Sequence, residues 1–280
     1  MSFVVQVSPR AEVLGDAIEA LVDAGADAVE IVGARALGLF RSGDPDAAQA
    51  RVRVALGEAG RGAKLRVKEP EWLDDASTWR AAVRPFRVGA LRFVPTVDGV
   101  LSDGSTPELG ADDVPLEVGT SFGSGGHATT WLVLDRLAES PPVGASVLDL
   151  GSGTGVLAIA AAKFGARSVL AADVDPVAAS LSAKNALAAG VSGQIVVTTK
   201  PVTELSQRFD RIVANIVAAP LIDLAQALVG RIAPGGEMSL SGFVPEQAVR
   251  VAKTYRNLGM RIVTQVERDG WVRLDILPPW

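Results

Sequence analysis

The stretch Val147-Leu148-Asp149-Leu150-Gly151-Ser152-Gly153-Thr154-Gly155 narrows the possible folds more than any other part of the sequence. A short apolar run passes into three alternate glycines and then directly into Val156-Leu157-Ala158-Ile159-Ala160, an alanine-rich helical sequence. Glycine lets a backbone turn sharply and approach a ligand, and a helix start offers free N–H groups. Strand, loop and helix in this order therefore predict a ligand site at the rim of an open α/β sheet, cradled by Gly151, Gly153 and Gly155. Spacing limits the ligand. A dinucleotide fingerprint wants glycine or alanine where Val156 stands, and no Gly-Lys-Ser/Thr follows to make a phosphate loop, so nicotinamide binding is the secondary reading.

The rhythm around this loop predicts one seven-stranded sheet with helices on both faces. Strands are expected at Ser146–Leu150, Ser168–Ala172, Gln194–Thr198, Arg211–Asn215 and Glu237–Ser241, with a last hairpin from Arg261–Glu267 and Gly270–Leu277. Helices are expected at Thr129–Ala138, Val156–Phe164, Pro176–Ala189, Leu221–Leu228 and Pro245–Leu258. Residues 1–70 have a different character. Short β-like runs (Phe3–Val7, Ala28–Val32, Leu37–Arg41, Lys64–Lys68) alternate with helical spacing over Ala11–Ala24 and Asp46–Leu56, which predicts a small α+β domain. Between the two, residues 71–112 read as a linker, with a short helix at Asp74–Val83 that follows Trp72 and contains Trp79, and then extended segments punctuated by proline and glycine. The open-sheet domain is expected over 113–280.

Composition removes several function classes. The chain has 280 residues, 48% of them hydrophobic and 21% charged, enough apolar material for packed cores. There is no cysteine and one histidine, His127, so a thiolate nucleophile, a Cys-ligated zinc and a multi-His metal centre are all excluded. Met1–Val7 lacks the basic start of a signal peptide, and no run approaches the roughly 20 apolar residues of a membrane span. Cytoplasmic location is the expectation. The net charge of −5 argues against broad nucleic-acid affinity. A local basic stretch, Arg51, Arg53, Arg61, Lys64, Arg66 and Lys68, reads as a solvated face.

Three further segments fall at the carboxyl ends of expected strands or ahead of a helix, where ligands of open sheets bind. Asp173 closes the second strand of the sheet and is placed to accept both hydroxyls of a ribose, while Asp175, directly before Pro176, is the better helix cap. Asn215 closes the strand Arg211–Asn215, and its carboxamide oxygen can accept hydrogen bonds from an amine. Upstream, Gly119-Thr120-Ser121-Phe122-Gly123-Ser124-Gly125-Gly126-His127-Ala128-Thr129-Thr130 is glycine-rich and polar ahead of a helix, as a lid over a ligand would be.

Together, Phe122-Gly123-x-Gly125-x-His127-x-Thr129-Thr130, the Asp149–Ala160 loop and helix, Val213-Ala214-Asn215-Ile216 and Leu240-Ser241-Gly242 resemble the bacterial ribosomal protein L11 methyltransferase family, in the family's order and over roughly residues 70–275. The resemblance implies a class I Rossmann-like domain that uses S-adenosylmethionine, joined by a linker to an N-terminal ferredoxin-like domain that recognises the ribosomal protein. It places Thr130, Gly151, Asp173 and Asn215 at the cofactor. It implies methyl transfer to lysine or N-terminal amines; for that transfer the Asn215 carbonyl oxygen and nearby backbone carbonyls are expected to hold the amine, His127 and Thr129 to shape the lid, and Phe122 to shield the methyl group from water. The family's usual Glu-Pro-Gly-Met-Ala-Phe-Gly is here Glu117-Val118-Gly119-Thr120-Ser121-Phe122-Gly123, and Ala128 stands where proline is common. The expected acceptor is protein L11, reached by a monomer without nucleic acid or membrane. Alternatives are an electron-transfer-flavoprotein lysine methyltransferase and a non-catalytic S-adenosylmethionine-binding module.

Overall fold

The structure, a computed structural model, describes residues 3–9, 14–24, 26, 28–32, 35–40, 43–58, 60–68, 84–110, 112–118 and 126–279. The chain divides into two compact units, Met1–Trp79 and Arg80–Trp280.

In the first unit, β1 (Phe3–Ser8), α1 (Leu14–Asp23), β2 (Ala28–Val32), β3 (Arg35–Phe40), α2 (Pro45–Leu56) and β4 (Lys64–Lys68) follow in that order. The strands pair antiparallel as β2-β3-β1-β4, the ferredoxin-like arrangement. Ile18 and Leu21 of α1 and Val52 and Leu56 of α2 are buried at helical spacing, as are Val5 and Val7 of β1 at the spacing of a strand. Gly38 lets α1 lie close to the sheet, because a Cβ there would stand 2.6 Å from the Leu21 Cδ2. Asp44 starts α2 by accepting the Asp46 N–H at 3.1 Å, with Pro45 in the first turn.

The second unit opens with a small sheet of β5 (Phe86–Val88), β6 (Leu91–Thr96) and β7 (Asp113–Glu117). Its Val88, Phe93, Val114 and Leu116 share a core with Val133 and Leu134, so the part of the expected linker that is described is built into this unit as packed strands. The helix expected at Asp74–Val83 lies outside the described residues. There follow α3 (Ala128–Glu139), β8 (Ser146–Leu150), α4 (Val156–Lys163), β9 (Ser168–Ala172), α5 (Pro176–Ala188), β10 (Ile195–Thr198) and β11 (Phe209–Asn215). The chain ends through α6 (Ala218–Asp223), α7 (Ala225–Arg231), β12 (Ile232–Phe243), α8 (Pro245–Asn257), β13 (Arg261–Arg268) and β14 (Trp271–Leu277).

The large sheet has the order β10-β9-β8-β11-β12-β14-β13, parallel except for β14, which runs antiparallel to both neighbours. Side chains alternate between its faces. Val147, Val169 and Val213 enter one core, with residues of α3 and α4; Leu148, Leu170 and Ile212 enter the other, with residues of α6 and α8. Burial on both faces explains why these strands read as continuous apolar runs. Two expectations change. The single helix expected at Leu221–Leu228 is two helices broken at Leu224, whose ψ is 1°. The strand expected at Glu237–Ser241 extends to Ile232–Phe243, through a Pro-Gly-Gly that reads as a turn.

Candidate active site

The connection of β8 to α4 is made by the glycine loop. Gly151, Gly153 and Gly155 all have positive φ, at 73°, 53° and 82°. The first and last are also closely approached. A Cβ on Gly151 would overlap the Ile216 side chain, and one on Gly155 would stand 2.5 Å from the Ser182 Oγ. Hydrogen bonds fix the loop's path: the Gly151 N–H donates to the Ala172 carbonyl at 2.8 Å, and the Gly155 N–H to the Ser152 carbonyl at 2.7 Å.

Asp173, at the end of β9, accepts the Gly153 N–H on one carboxylate oxygen at 2.8 Å and the Asp175 N–H on the other at 3.0 Å. The carboxylate is thereby oriented, and each oxygen keeps a further lone pair for a ligand hydroxyl. Asp175 is the cap of α5, accepting the Val177 N–H at 2.8 Å, as the sequence suggests.

Asn215 ends β11 and is buried. Its Nδ2 donates to the Thr130 Oγ1 in the first turn of α3 at 3.2 Å, while its Oδ1 is buried with no partner among the described residues. A buried carbonyl oxygen left unmatched is costly, which makes it a candidate acceptor for a ligand hydrogen. The backbone behind Asn215 is pinned from both sides. Ile216 donates its N–H to the Ser241 carbonyl at 3.1 Å, and Gly242, at φ 103°, passes so close to the Ile216 carbonyl that any side chain would collide with it.

Asp149 lies beneath the loop, fully buried. One oxygen accepts the Ala158 N–H at 2.9 Å, and the other has no partner among the described residues. Burial, reinforced by the nearby Asp173 charge, pushes its pKa up to about 7. His127 caps α3: its Nδ1 lies 2.8 Å from the Thr129 Oγ1 and 3.4 Å from the Thr129 backbone nitrogen, and its ring stands edge-on to Trp271 with centroids 4.8 Å apart. Burial lowers its pKa, which favours the neutral ring needed to accept the Thr129 N–H. Phe122 lies outside the described residues, with the rest of 119–125.

The structure therefore brings together Thr130 and Asn215 on one side, and Gly153 and Asp173 on the other, at the carboxyl ends of β8, β9 and β11. Sequence reasoning missed Asn185 and Ser182 on α5. Its one signal was an asparagine inside a helix, where that residue has low intrinsic preference. The Asn185 side chain receives the Glu117 N–H and donates to the Glu117 and Thr154 carbonyls, each at 2.8 Å. Among the described residues, no group of His, Asp or Glu could hold a metal ion, and no helix is long and apolar enough to cross a membrane.

A parallel sheet with its last-but-one strand reversed, a glycine loop after its central strand and an acidic residue after the next define a class I Rossmann-like methyltransferase. The sequence profile of the ribosomal protein L11 methyltransferase family matches residues 6–277. The chain belongs to that family. It is 37% identical to the ribosomal protein L11 methyltransferase of Methylococcus capsulatus over 281 aligned positions, which cover 92% of this chain and 93% of the relative. To that of Chromohalobacter salexigens it is 40% identical over 206 positions, 74% of this chain and 65% of the relative. The crystal structure of ribosomal protein L11 methylase from Lactobacillus delbrueckii subsp. bulgaricus superposes with a TM-score of 0.62 at 27% identity, over 70% of this chain and all of the other. A profile that begins at residue 6 and spans both units leaves the nicotinamide and electron-transfer-flavoprotein alternatives without support.

Proposed function

We propose that this chain transfers methyl groups from S-adenosylmethionine to amines of ribosomal protein L11, and that the rim formed by Thr130, Gly151, Gly153, Gly155, Asp173 and Asn215 is where donor and amine meet. The observation that carries the reading is the Asn215 Oδ1, a buried acceptor that has no hydrogen-bond partner among the described residues, on a side chain tied to the Thr130 hydroxyl. The residues fit the methyl donor. The Asp173 carboxylate, already turned by Gly153 and Asp175, has lone pairs for the two ribose hydroxyls, and the positive-φ glycines keep backbone within reach of the nucleoside. When bound, S-adenosylmethionine supplies a methyl carbon made electrophilic by its sulfonium.

The protein's share of the chemistry is alignment. An amine attacks only when neutral, and the Asn215 oxygen can accept one of its N–H bonds and so direct its lone pair. A carboxamide carries no charge, so it does not hold the amine in its ammonium form as a carboxylate would. A lysine, with a reference pKa near 10.4, must lose a proton before attack, and desolvation at a buried rim favours that loss. In this reading His127 and Thr129 build the start of α3 and thereby place Thr130, Phe122 shields the reacting carbon, and the first unit recognises L11. The chain acts as a cytoplasmic monomer on protein, in keeping with its net charge of −5.

Incubating the protein with isotopically labelled S-adenosylmethionine and unmethylated L11, then locating the label by mass spectrometry, tests the reading directly. Label on L11 amines is the expected result. L11 left unlabelled while another large-subunit protein is methylated overturns the substrate assignment, and no transfer to any protein overturns the activity.

A further inference from the structure

We propose that Asn185 is a positioning residue for methyl-donor binding: through a single carboxamide it sets the glycine loop against the end of β7. The side chain is 1% exposed, and its three hydrogen bonds fix which end is oxygen. Oδ1 takes the Glu117 N–H, and Nδ2 gives one hydrogen to the Glu117 carbonyl and the other to the Thr154 carbonyl. Toward Glu117 the carboxamide behaves as an added strand would, matching both backbone groups of one residue. Its remaining hydrogen reaches Thr154, which lies between the two glycines of the loop nearest α4.

The chemistry demanded here is narrow. The group must be planar, accept once and donate twice in fixed directions, and remain neutral among backbone dipoles. Aspartate would turn an oxygen toward at least one carbonyl, and alanine would remove all three hydrogen bonds at once. One turn earlier on the same helix, Ser182 abuts Gly155, so α5 holds the loop at two residues on one face. Glu117 is itself anchored: it pairs with Thr96 in the small sheet, and its carboxylate accepts the Thr96 hydroxyl at 2.9 Å and the Gly99 N–H at 3.1 Å. The loop's height above β8 is thus referred to a rigid neighbour. The role given to Asn185 rests on the rim being the donor's site.

Asn185→Ala and Asn185→Asp are compared with the unaltered full-length enzyme. The expected result is that Kd and KM for S-adenosylmethionine rise about tenfold or more, the scale of losing a buried hydrogen bond. At saturating donor kcat stays within about threefold and KM for L11 is unchanged, because Asn185 touches neither the amine nor Asn215. A residue that only stabilises the fold would lower the thermal midpoint without this separation of constants. A folded Asn185→Ala enzyme with unaltered KM for the donor therefore overturns the proposal, whatever its melting temperature. Should that variant fail to fold, Asn185→Ser carries the same measurement, its hydroxyl serving only some of the partners. If the unaltered enzyme binds no S-adenosylmethionine in calorimetry, the reading of the rim has failed, and that outcome is distinct from a variant binding as well as its parent.

Discussion

Exchanging Asn215 for aspartate preserves shape and changes charge, which makes it a sharper probe than truncation. The present Oδ1 is a neutral acceptor; a carboxylate in its place would stabilise an ammonium and hold the acceptor amine in the form that cannot attack. Asn215→Asp is expected to lower kcat at neutral pH and to move the rising limb of the pH–rate profile to higher pH. Asn215→Ala should cut turnover by about a hundredfold, the scale of losing one aligned polar contact at a reacting centre, and should leave donor affinity within a few fold. Unchanged turnover in Asn215→Ala would remove the residue from the mechanism. Asp173→Ala works on the other side of the rim, where affinity for S-adenosylmethionine should weaken roughly ten- to a hundredfold in calorimetry, as expected for hydrogen bonds to a charged group. Asp149 adds a pH dependence of stability. Its carboxyl has a pKa of about 7 when folded against 3.8 for the free carboxyl, so as pH rises the unfolded chain releases that proton first. Stability from the protonated form is complete below the lower value, declines as pH rises between the two and is lost above the upper one. The shift corresponds to roughly 4 kcal/mol at most. The substitution Asp149→Asn should therefore raise the thermal midpoint relative to the parent more at about pH 8 than at about pH 5, on either side of most of this decline. An equal offset at both pH values would contradict the assignment.

At the scale of elements, how well the sequence reveals the structure depends on how local the cause is. The strands Ser168–Ala172 and Ser146–Leu150 have the expected limits because both faces are buried and turn residues bound them. The cap at Asp175 and the proline after it are equally local signals. The role of Asn185 is not legible beyond an asparagine set inside a helix, because its partners Glu117 and Thr154 are 68 and 31 residues away in sequence. The same holds for the charges that seat α3. Glu237 on β12 takes Arg136 of α3 and Arg211 of β11, while Arg273 of β14 donates to the Leu132 carbonyl and pairs with Asp275 at 3.0 Å. Asp275 in turn accepts the Ser239 hydroxyl at 2.8 Å. In the sequence these are ordinary charged residues; in the fold they tie the helix that carries Thr130 to three strands. Glu237→Ala leaves two arginines without their shared partner. The expected loss is about 3 kcal/mol, the low end for breaking a buried pair, because the arginine side chains remain 25% and 22% exposed. Urea unfolding measures it, and a loss below about 1 kcal/mol would show the network to be a surface feature in energetic terms.

For the whole molecule, the turn-rich sequence between the two units misled in one respect. Gly89, Gly99 and Gly104 all have positive φ and close short turns, so strands of three to six residues between them lose any readable periodicity and look like linker. They belong instead to the core of the unit that starts at Arg80. Each unit has its own buried residues, and this permits a test of the division of labour proposed above. A chain of residues 80–280 retains Thr130, the glycine loop, Asp173, Asn185 and Asn215, and is expected to bind S-adenosylmethionine with nearly the affinity of the full protein. If the first unit recognises L11, its removal raises KM for L11 steeply while methylation of a short amine-bearing peptide, which uses only the rim, proceeds at an unchanged rate. Supplying residues 1–79 as a separate chain should restore little at micromolar concentration, because a covalent link holds the unit near its partner at an effective concentration of order millimolar. Equal kcat/KM for L11 with and without the first unit, in a shortened chain shown by its cooperative thermal transition to be folded, would place substrate recognition within residues 80–280 and leave the ferredoxin-like unit to another task.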